Sequence, residues 1–218
     1  MIRVLLVDDQ PLVRAGLRML CEADERIEVA GEATDGEQAV RLAERLAPGV
    51  VLMDLRMPRL DGIEATRRIL RNAPATRVVV LTTFDDDDHL YPALEAGACG
   101  FLAKDAEPAE LLGAITRAAA GESPFSSRVL ERLVNQAVRS RAPRQDAGPR
   151  LPEAITERER DVLALLGDGL ANAEIAERLN LGVTTVKTHV AGLMTKTGRT
   201  NRVQLAIFAV QLGLSTRD

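Results

Sequence analysis

Val50-Val51-Leu52-Met53-Asp54-Leu55-Arg56-Met57-Pro58 is the stretch that decides the fold. Its first four residues are an unbroken apolar run that opens on β-branched side chains, the pattern of a strand buried on both faces. Such a strand should carry no charge, yet Asp54 stands at its C-terminal end. Pro58, four residues later, stops regular continuation. In open α/β sheets, ligands bind just beyond the carboxyl ends of the strands. Asp54 therefore stands where such a fold places its chemistry.

Similar apolar runs flank this one, alternating with segments of helical period. Strands are expected at Arg3–Val7, Ile27–Ala30, Val50–Met53, Arg77–Leu81 and Cys99–Leu102. Helices are expected at Leu12–Ala23, Gly36–Leu46, Gly62–Arg71, Asp87–Ala96 and Pro108–Ala120. Successive βα units with short, turn-rich connections predict an α/β fold, a doubly wound five-stranded parallel sheet.

The residues at the strand ends share a chemistry. The first strand runs into Asp8-Asp9, the third into Asp54, the fourth into Thr82-Thr83, and the fifth leads to Lys104. In the order 2-1-3-4-5, one of the two common doubly wound arrangements, strands 1, 3 and 4 are neighbours and three carboxylates converge. Like charges that close repel, so a cation should join them. A hard, oxygen-preferring ion such as Mg²⁺ fits, and Lys104 supplies a second cation. The chain has 25 Arg and only three Lys, at 104, 187 and 196, which suggests that a compact point charge is needed where Lys is kept. Taken singly, Asp8 or Asp9 could instead cap the helix that begins near Pro11, and Thr82 and Phe101 could be plain strand and core residues.

Asp8, Asp9, Asp54, Thr82 and Lys104, in this order on these strand ends, resemble a response-regulator receiver domain over residues 1–122. The resemblance implies that Asp54 is the phosphoacceptor for a sensor histidine kinase. It implies that Asp8, Asp9, Asp54 and the backbone carbonyl of Arg56 bind Mg²⁺. Thr82 then matches the switch hydroxyl, Phe101 an aromatic that turns inward on activation, and Lys104 the lysine that contacts the phosphoryl group. Many receivers place a cis proline after that lysine; here Asp105 follows, and a trans bond is expected. Arg56 and Phe84, two residues beyond Asp54 and Thr82, are bulky and are expected to shield an acyl phosphate from water. Asp85–Asp88 reads as N-terminal capping of the fourth helix, with a kinase contact as the alternative.

Residues 123–152 read as a linker, an amphipathic helix over Ser126–Ser140 followed by a Pro- and Gly-containing tether over Arg141–Leu151. Residues 153–218 read as a small all-α domain of four helices. Thr156-Glu157-Arg158-Glu159 is a capping box for the first. Asn172 is expected to cap the second, over Ala173–Leu179. Asn180-Leu181-Gly182 turns into the third, about Thr184–Thr197, which Gly198 closes, and Arg202–Leu212 forms the fourth. Helix, short turn, helix is the grammar of DNA-binding helix-turn-helix units. On the third helix Val186, Val190 and Leu193 share an inward face, while Thr184, Lys187, Thr188, Ala191 and Thr195 share the other. The last helix is apolar nearly all round, which suggests a second face serving as a dimer seam.

Through T-E-R-E-R-D-V-L, N-A-E-I-A-E-R-L and T-V-K-T-H-V, residues 155–212 resemble the LuxR/NarL-type DNA-binding domain. That resemblance implies that Lys187 and Thr188 read bases in double-stranded DNA. It makes Thr184, Thr185, His189 and Lys196 phosphate contacts or helpers. Ala191 and Ala173 stand where family members often carry polar or basic residues.

Charge distribution agrees with two kinds of partner. Residues 1–122 hold 22 acidic and 14 basic side chains, whereas every charge from Arg178 to Arg217 is positive. No apolar run approaches the ~20 residues that span a bilayer, Met1-Ile2-Arg3-Val4 shows no signal-peptide pattern, and Cys21 and Cys99 form neither a disulfide framework nor a metal site. The expectation is a cytoplasmic, non-enzymatic transcription regulator that forms a homodimer on activation and is switched by phosphorylation of Asp54. An aspartyl-phosphate enzyme would want a second carboxylate two residues after Asp54, where Arg56 stands. The remaining alternative is a regulator that binds DNA regardless of phosphate.

Overall fold

The structure is a computed structural model that describes residues 1–82, 87–125 and 151–214. The expected linker helix and tether, and the expectations for Phe84, Asp85 and Asp86, fall outside the described residues, as do those for the side chains of Asp87 and Asp88. Two compact units divide the chain between residues 130 and 131. Among the described residues, no helix is long and apolar enough to cross a membrane.

The first unit alternates β1 (Ile2–Val7), α1 (Pro11–Glu22), β2 (Ile27–Ala33), α2 (Gly36–Leu46), β3 (Val50–Asp54), α3 (Gly62–Asn72), β4 (Arg77–Thr82), α4 (Asp87–Glu95), β5 (Gly100–Ala103) and α5 (Pro108–Ala119). All pairings are parallel, in the order β2-β1-β3-β4-β5. Alternation across the pleat divides the core in two. Val4, Leu6, Val50, Leu52, Val79 and Leu81 face Leu17 and Cys21 of α1 and Leu111, Ala114, Ile115 and Ala118 of α5. On the other face Leu5, Val7, Val51 and Met53 meet Ala39 and Ala43 of α2 and Ala65 and Ile69 of α3. β3 is buried along its whole length, Asp54 included.

β2 extends three residues beyond Ala30. The pairing with β1 shifts between Val4 and Leu5, so that Ala30 is bulged out and Gly31 re-enters the ladder opposite Leu5. Gly31-Glu32, which looks like a turn in one dimension, is edge strand. Asp8 and Asp9 do not cap α1. The N-cap position is Gln10, without a side-chain cap, and Asp8 Oδ1 accepts from the Gln10 amide at 2.9 Å. Among the described residues no cis peptide is present, so the bond after Lys104 is trans as expected.

The second unit holds α6 (Glu157–Gly167), α7 (Asn172–Leu179), α8 (Val183–Thr197) and α9 (Arg202–Gln211). Its core joins Val162, Leu163 and Leu166, Ile175 and Ala176, Val186, Val190 and Leu193, and Leu205, Phe208 and Ala209. The capping box at Thr156 and Glu159 is formed. Asn172 does not cap α7: it is the first helical residue, its Oδ1 accepts from Arg202, and Glu174 instead reaches back to the Ala171 amide at 2.6 Å. The turn into α8 uses Asn180, not Gly182, as its left-handed residue (φ 53°), a conformation that Asn tolerates better than most side chains.

Candidate functional site

Four strand ends build the site. β1 ends at Val7 and delivers Asp8 and Asp9, and β3 ends on Asp54, which pairs in register with Leu81. Thr82 follows Leu81 and pairs with Ala103, and the Lys104 amide donates to the Thr82 carbonyl at 2.9 Å. Asp8, Asp54 and Thr82 are buried, while Asp9 is exposed.

Lys104 Nζ lies 2.8 Å from Asp54 Oδ2 and 2.7 Å from Asp8 Oδ2. Burial alone would lower the Lys104 pKa, but its contacts with Asp54 and Asp8 outweigh that and hold it above the ordinary lysine value. Burial raises the Asp54 pKa above the ordinary carboxylate value, helped by the charge of Asp8 and opposed by Lys104 and the Arg56 amide, 3.4 Å from Asp54 Oδ1. Asp54 is thus a partly desolvated carboxylate beside a cation.

Asp8, Asp9 and Asp54 each offer an oxygen, all within 4.8 Å of one another. The buried Asp8 Oδ2 is ion-paired with the Lys104 ammonium at 2.7 Å. An all-oxygen, acidic donor set suits a hard divalent cation of the Mg²⁺ kind. The Arg56 side chain is exposed, and its peptide lies on the loop directly after Asp54.

Gly62, not singled out in the sequence, holds this loop. Its amide donates to the Leu55 carbonyl at 3.0 Å. A Cβ there would overlap the Asp54 carbonyl and approach Leu55 Cα to 2.9 Å. Asp61, just before it, caps α3 through the Glu64 amide at 2.8 Å. The sequence signal was available: an Asp-Gly pair opening a helix. On the same loop, Arg59 adopts a left-handed φ of 68° and ion-pairs with Asp35, the N-cap of α2.

Phe101 lies inside the fold. It is fully buried and stacked on Phe125, with ring centroids 5.5 Å apart. The Phe101 amide donates to the Pro124 carbonyl at 2.9 Å. The ring is inward in this structure.

In the second unit, Val186, Val190 and Leu193 are buried, while Thr184, Thr185, Lys187, Thr188, Ala191 and Thr195 are exposed and His189 is half-buried. One face of α8 is therefore spent on the core and the other presents a lysine among small hydroxyl side chains. Lys196 differs: its ammonium lies 2.8 and 2.7 Å from the two carboxylate oxygens of Glu159. On α9, Val203, Ile207 and Val210, the apolar stripe outside the domain core, are buried rather than exposed.

Two family models cover most of the chain: the response regulator receiver domain over residues 4–116 and the luxR family of bacterial regulatory proteins over 153–209. The transcriptional regulatory protein LiaR of Bacillus subtilis is 44% identical over 209 residues, covering 96% of this chain and 97% of LiaR. Response regulator protein VraR of Staphylococcus aureus is 37% identical, covering 98% of each chain. Among solved structures, the response regulator ChrA of a heme-sensing two-component system matches with TM-score 0.54 and 36% identity over 98% of each chain. A structure of two RcsB dimers bound to two parallel DNAs matches with TM-score 0.56 and 26% identity, over 97% of this chain and 98% of that one. The chain belongs to the response-regulator family, a receiver domain joined to a LuxR-type DNA-binding domain, and is a transcription regulator of the two-component type.

Proposed function

We propose that this protein is a phosphorylation-dependent transcription factor in which Asp54 accepts a phosphoryl group from a sensor histidine kinase. The observation that carries the reading is the convergence of Asp8, Asp9, Asp54 and Lys104 at the carboxyl edge of the sheet. The Asp54 carboxylate attacks phosphorus as the bond to the donor histidine breaks. Lys104 meets the charge on the transferred phosphoryl oxygens, and the Thr82 hydroxyl hydrogen-bonds one of them. Asp8, Asp9, Asp54 and the Arg56 carbonyl would hold Mg²⁺, which when bound offsets negative charge on the phosphoryl group.

The phosphorylated receiver (residues 1–122) shifts a pre-existing equilibrium toward a state in which the DNA-binding domain (153–218), beyond the linker (123–152), binds its promoter as a homodimer. Lys187 and Thr188 read base edges, with Thr184, Thr185 and His189 as helpers. The exposed small-residue face of α8 supports this part, as does the DNA-bound dimer of the RcsB structure. The setting is cytoplasmic, where both the kinase's phosphohistidine and the promoter are reached.

The test is intact-mass analysis after incubation with a small-molecule phosphodonor and Mg²⁺. The native chain gains one phosphoryl group and Asp54→Asn gains none. Equal labelling of the variant, or none of the native chain, contradicts the reading.

A further inference from the structure

Lys196 is exposed on the recognition helix, and as one of the two lysines on that helix it looks like a phosphate contact. Its surroundings indicate another role. At about 100° per residue, the outer face of α8 centres on Thr184, Thr188, Ala191 and Thr195. Lys196 lies about 120° round the helix from Thr184, on the flank it shares with Gly192. On that flank sits Glu159 of α6, 7% exposed.

Glu159 already serves the capping box: its Oε2 accepts from the Thr156 amide at 2.8 Å and from Thr156 Oγ1 at 2.9 Å. Lys196 Nζ reaches both oxygens of the same carboxylate. Gly192, one turn before Lys196, leaves room for the carboxylate, since a Cβ there would come within 3.1 Å of Glu159 Oε1. Thus one carboxylate is pinned to the start of α6 by the cap and to the last turn of α8 by a cation. The intervening helix surface is bare at the point of contact.

We propose that Glu159, Gly192 and Lys196 form a latch that fixes the rotation of the recognition helix against α6, making Lys196 a positioning residue for DNA reading rather than a phosphate contact. The proposal rests on the DNA-binding reading above. Two opposite consequences separate the roles. If Lys196 reached phosphate, removing the acidic Glu159 would free a cation beside DNA and tighten binding. If the pair is a latch, removing either partner weakens binding, because α8 loses its setting, and removing Lys196 also leaves the buried Glu159 charge without its mate.

The experiment uses the full chain and a duplex enriched by the native protein from a random-sequence pool. Binding is measured across a salt series for the native chain, Lys196→Met, Glu159→Gln, the double variant and Lys187→Met. Gln at this position retains the capping box, so the start of α6 survives. The latch predicts that Lys196→Met and Glu159→Gln each weaken binding about tenfold, and that the double variant is no worse than either. It also predicts an unchanged salt slope for Lys196→Met, whereas Lys187→Met lowers the slope by about 1. Tighter binding by Glu159→Gln, or a slope lowered by about 1 in Lys196→Met, overturns the proposal. The coupling is also read without DNA, in the unfolding midpoints of the native chain, the two single variants Lys196→Met and Glu159→Gln, and their double variant. Additive losses there overturn the latch, whereas failure of the native chain to enrich any duplex counts against the DNA-binding reading itself.

Discussion

Asp8 and Asp54 share one cation: Lys104 Nζ lies 2.7 Å from Oδ2 of the first and 2.8 Å from Oδ2 of the second. Two carboxylates carried on different strands are buried side by side because this ammonium stands between them. Lys104→Met leaves the like charges facing each other and should cost about 3 kcal/mol in metal-free buffer. A divalent cation held by the same carboxylates takes over the neutralisation, so millimolar Mg²⁺ should restore much of the loss. Urea unfolding with and without Mg²⁺ checks this, and a deficit that Mg²⁺ leaves unchanged would show that the acidic cluster does not hold the ion.

Gly62 has no room for a side chain. A Cβ would meet backbone atoms of Asp54 and Leu55, which cannot swing aside as the end of a flexible side chain can. Gly62→Ala should therefore cost about 3 kcal/mol, the upper end of what overpacking costs, and should slow phosphorylation by displacing Asp54. Gly16, inside α1, has open space for a Cβ, so Gly16→Ala is the control that costs no stability, adding up to about 1 kcal/mol as alanine does in a helix, and leaves the labelling rate unchanged. Denaturant unfolding and the labelling rate report the two effects.

Phe101 is a core residue in this structure. Phe101→Ala should cost about 3–5 kcal/mol, since the ring is fully buried against Phe125. Phe101→Leu should cost far less and keep the receiver folded, which allows its effect on DNA binding to be read separately. A loss below about 1 kcal/mol for the alanine variant would mean that the ring spends much of its time outside the core.

The Glu159–Lys196 pair gives a pH signature. The Lys196 contact and the Thr156 cap hold the Glu159 carboxyl at about 2, well below its ordinary 4.5. A depressed folded-state pKa stabilises the fold above the ordinary value, and that contribution disappears as pH falls through the depressed one. The gap in urea midpoint between the native chain and Glu159→Gln should accordingly be full at about pH 6 and narrow from about pH 4.5 toward pH 2. A gap that does not change with pH would assign the loss to packing rather than charge.

Much of this arrangement is legible in one dimension because the relevant signals are local. The apolar run Val50–Met53, its period-2 neighbours and the charges at their ends follow from chain-local patterning, and the strand order then brings Asp8, Asp54 and Lys104 together. What the sequence conceals is contact between distant segments. The bulge at Ala30 depends on which residue of β1 lies opposite. Asn172 looks like a cap until Arg202, thirty residues later, takes its carbonyl. Lys196 reads as a DNA contact in one dimension, and its pairing with Glu159, 37 residues earlier, is not visible there. The second apolar stripe of α9 reads as a free seam, whereas Val203, Ile207 and Val210 are buried.

The central claim is that phosphoryl-Asp54 controls DNA binding. Its most direct test is a gel-shift titration of the enriched duplex with the native chain and with Asp54→Asn, each with and without a small phosphodonor and Mg²⁺. The account predicts tighter binding in the native lane containing both additions and no response from Asp54→Asn. Identical binding in every lane would contradict it and leave a regulator that binds DNA regardless of phosphate.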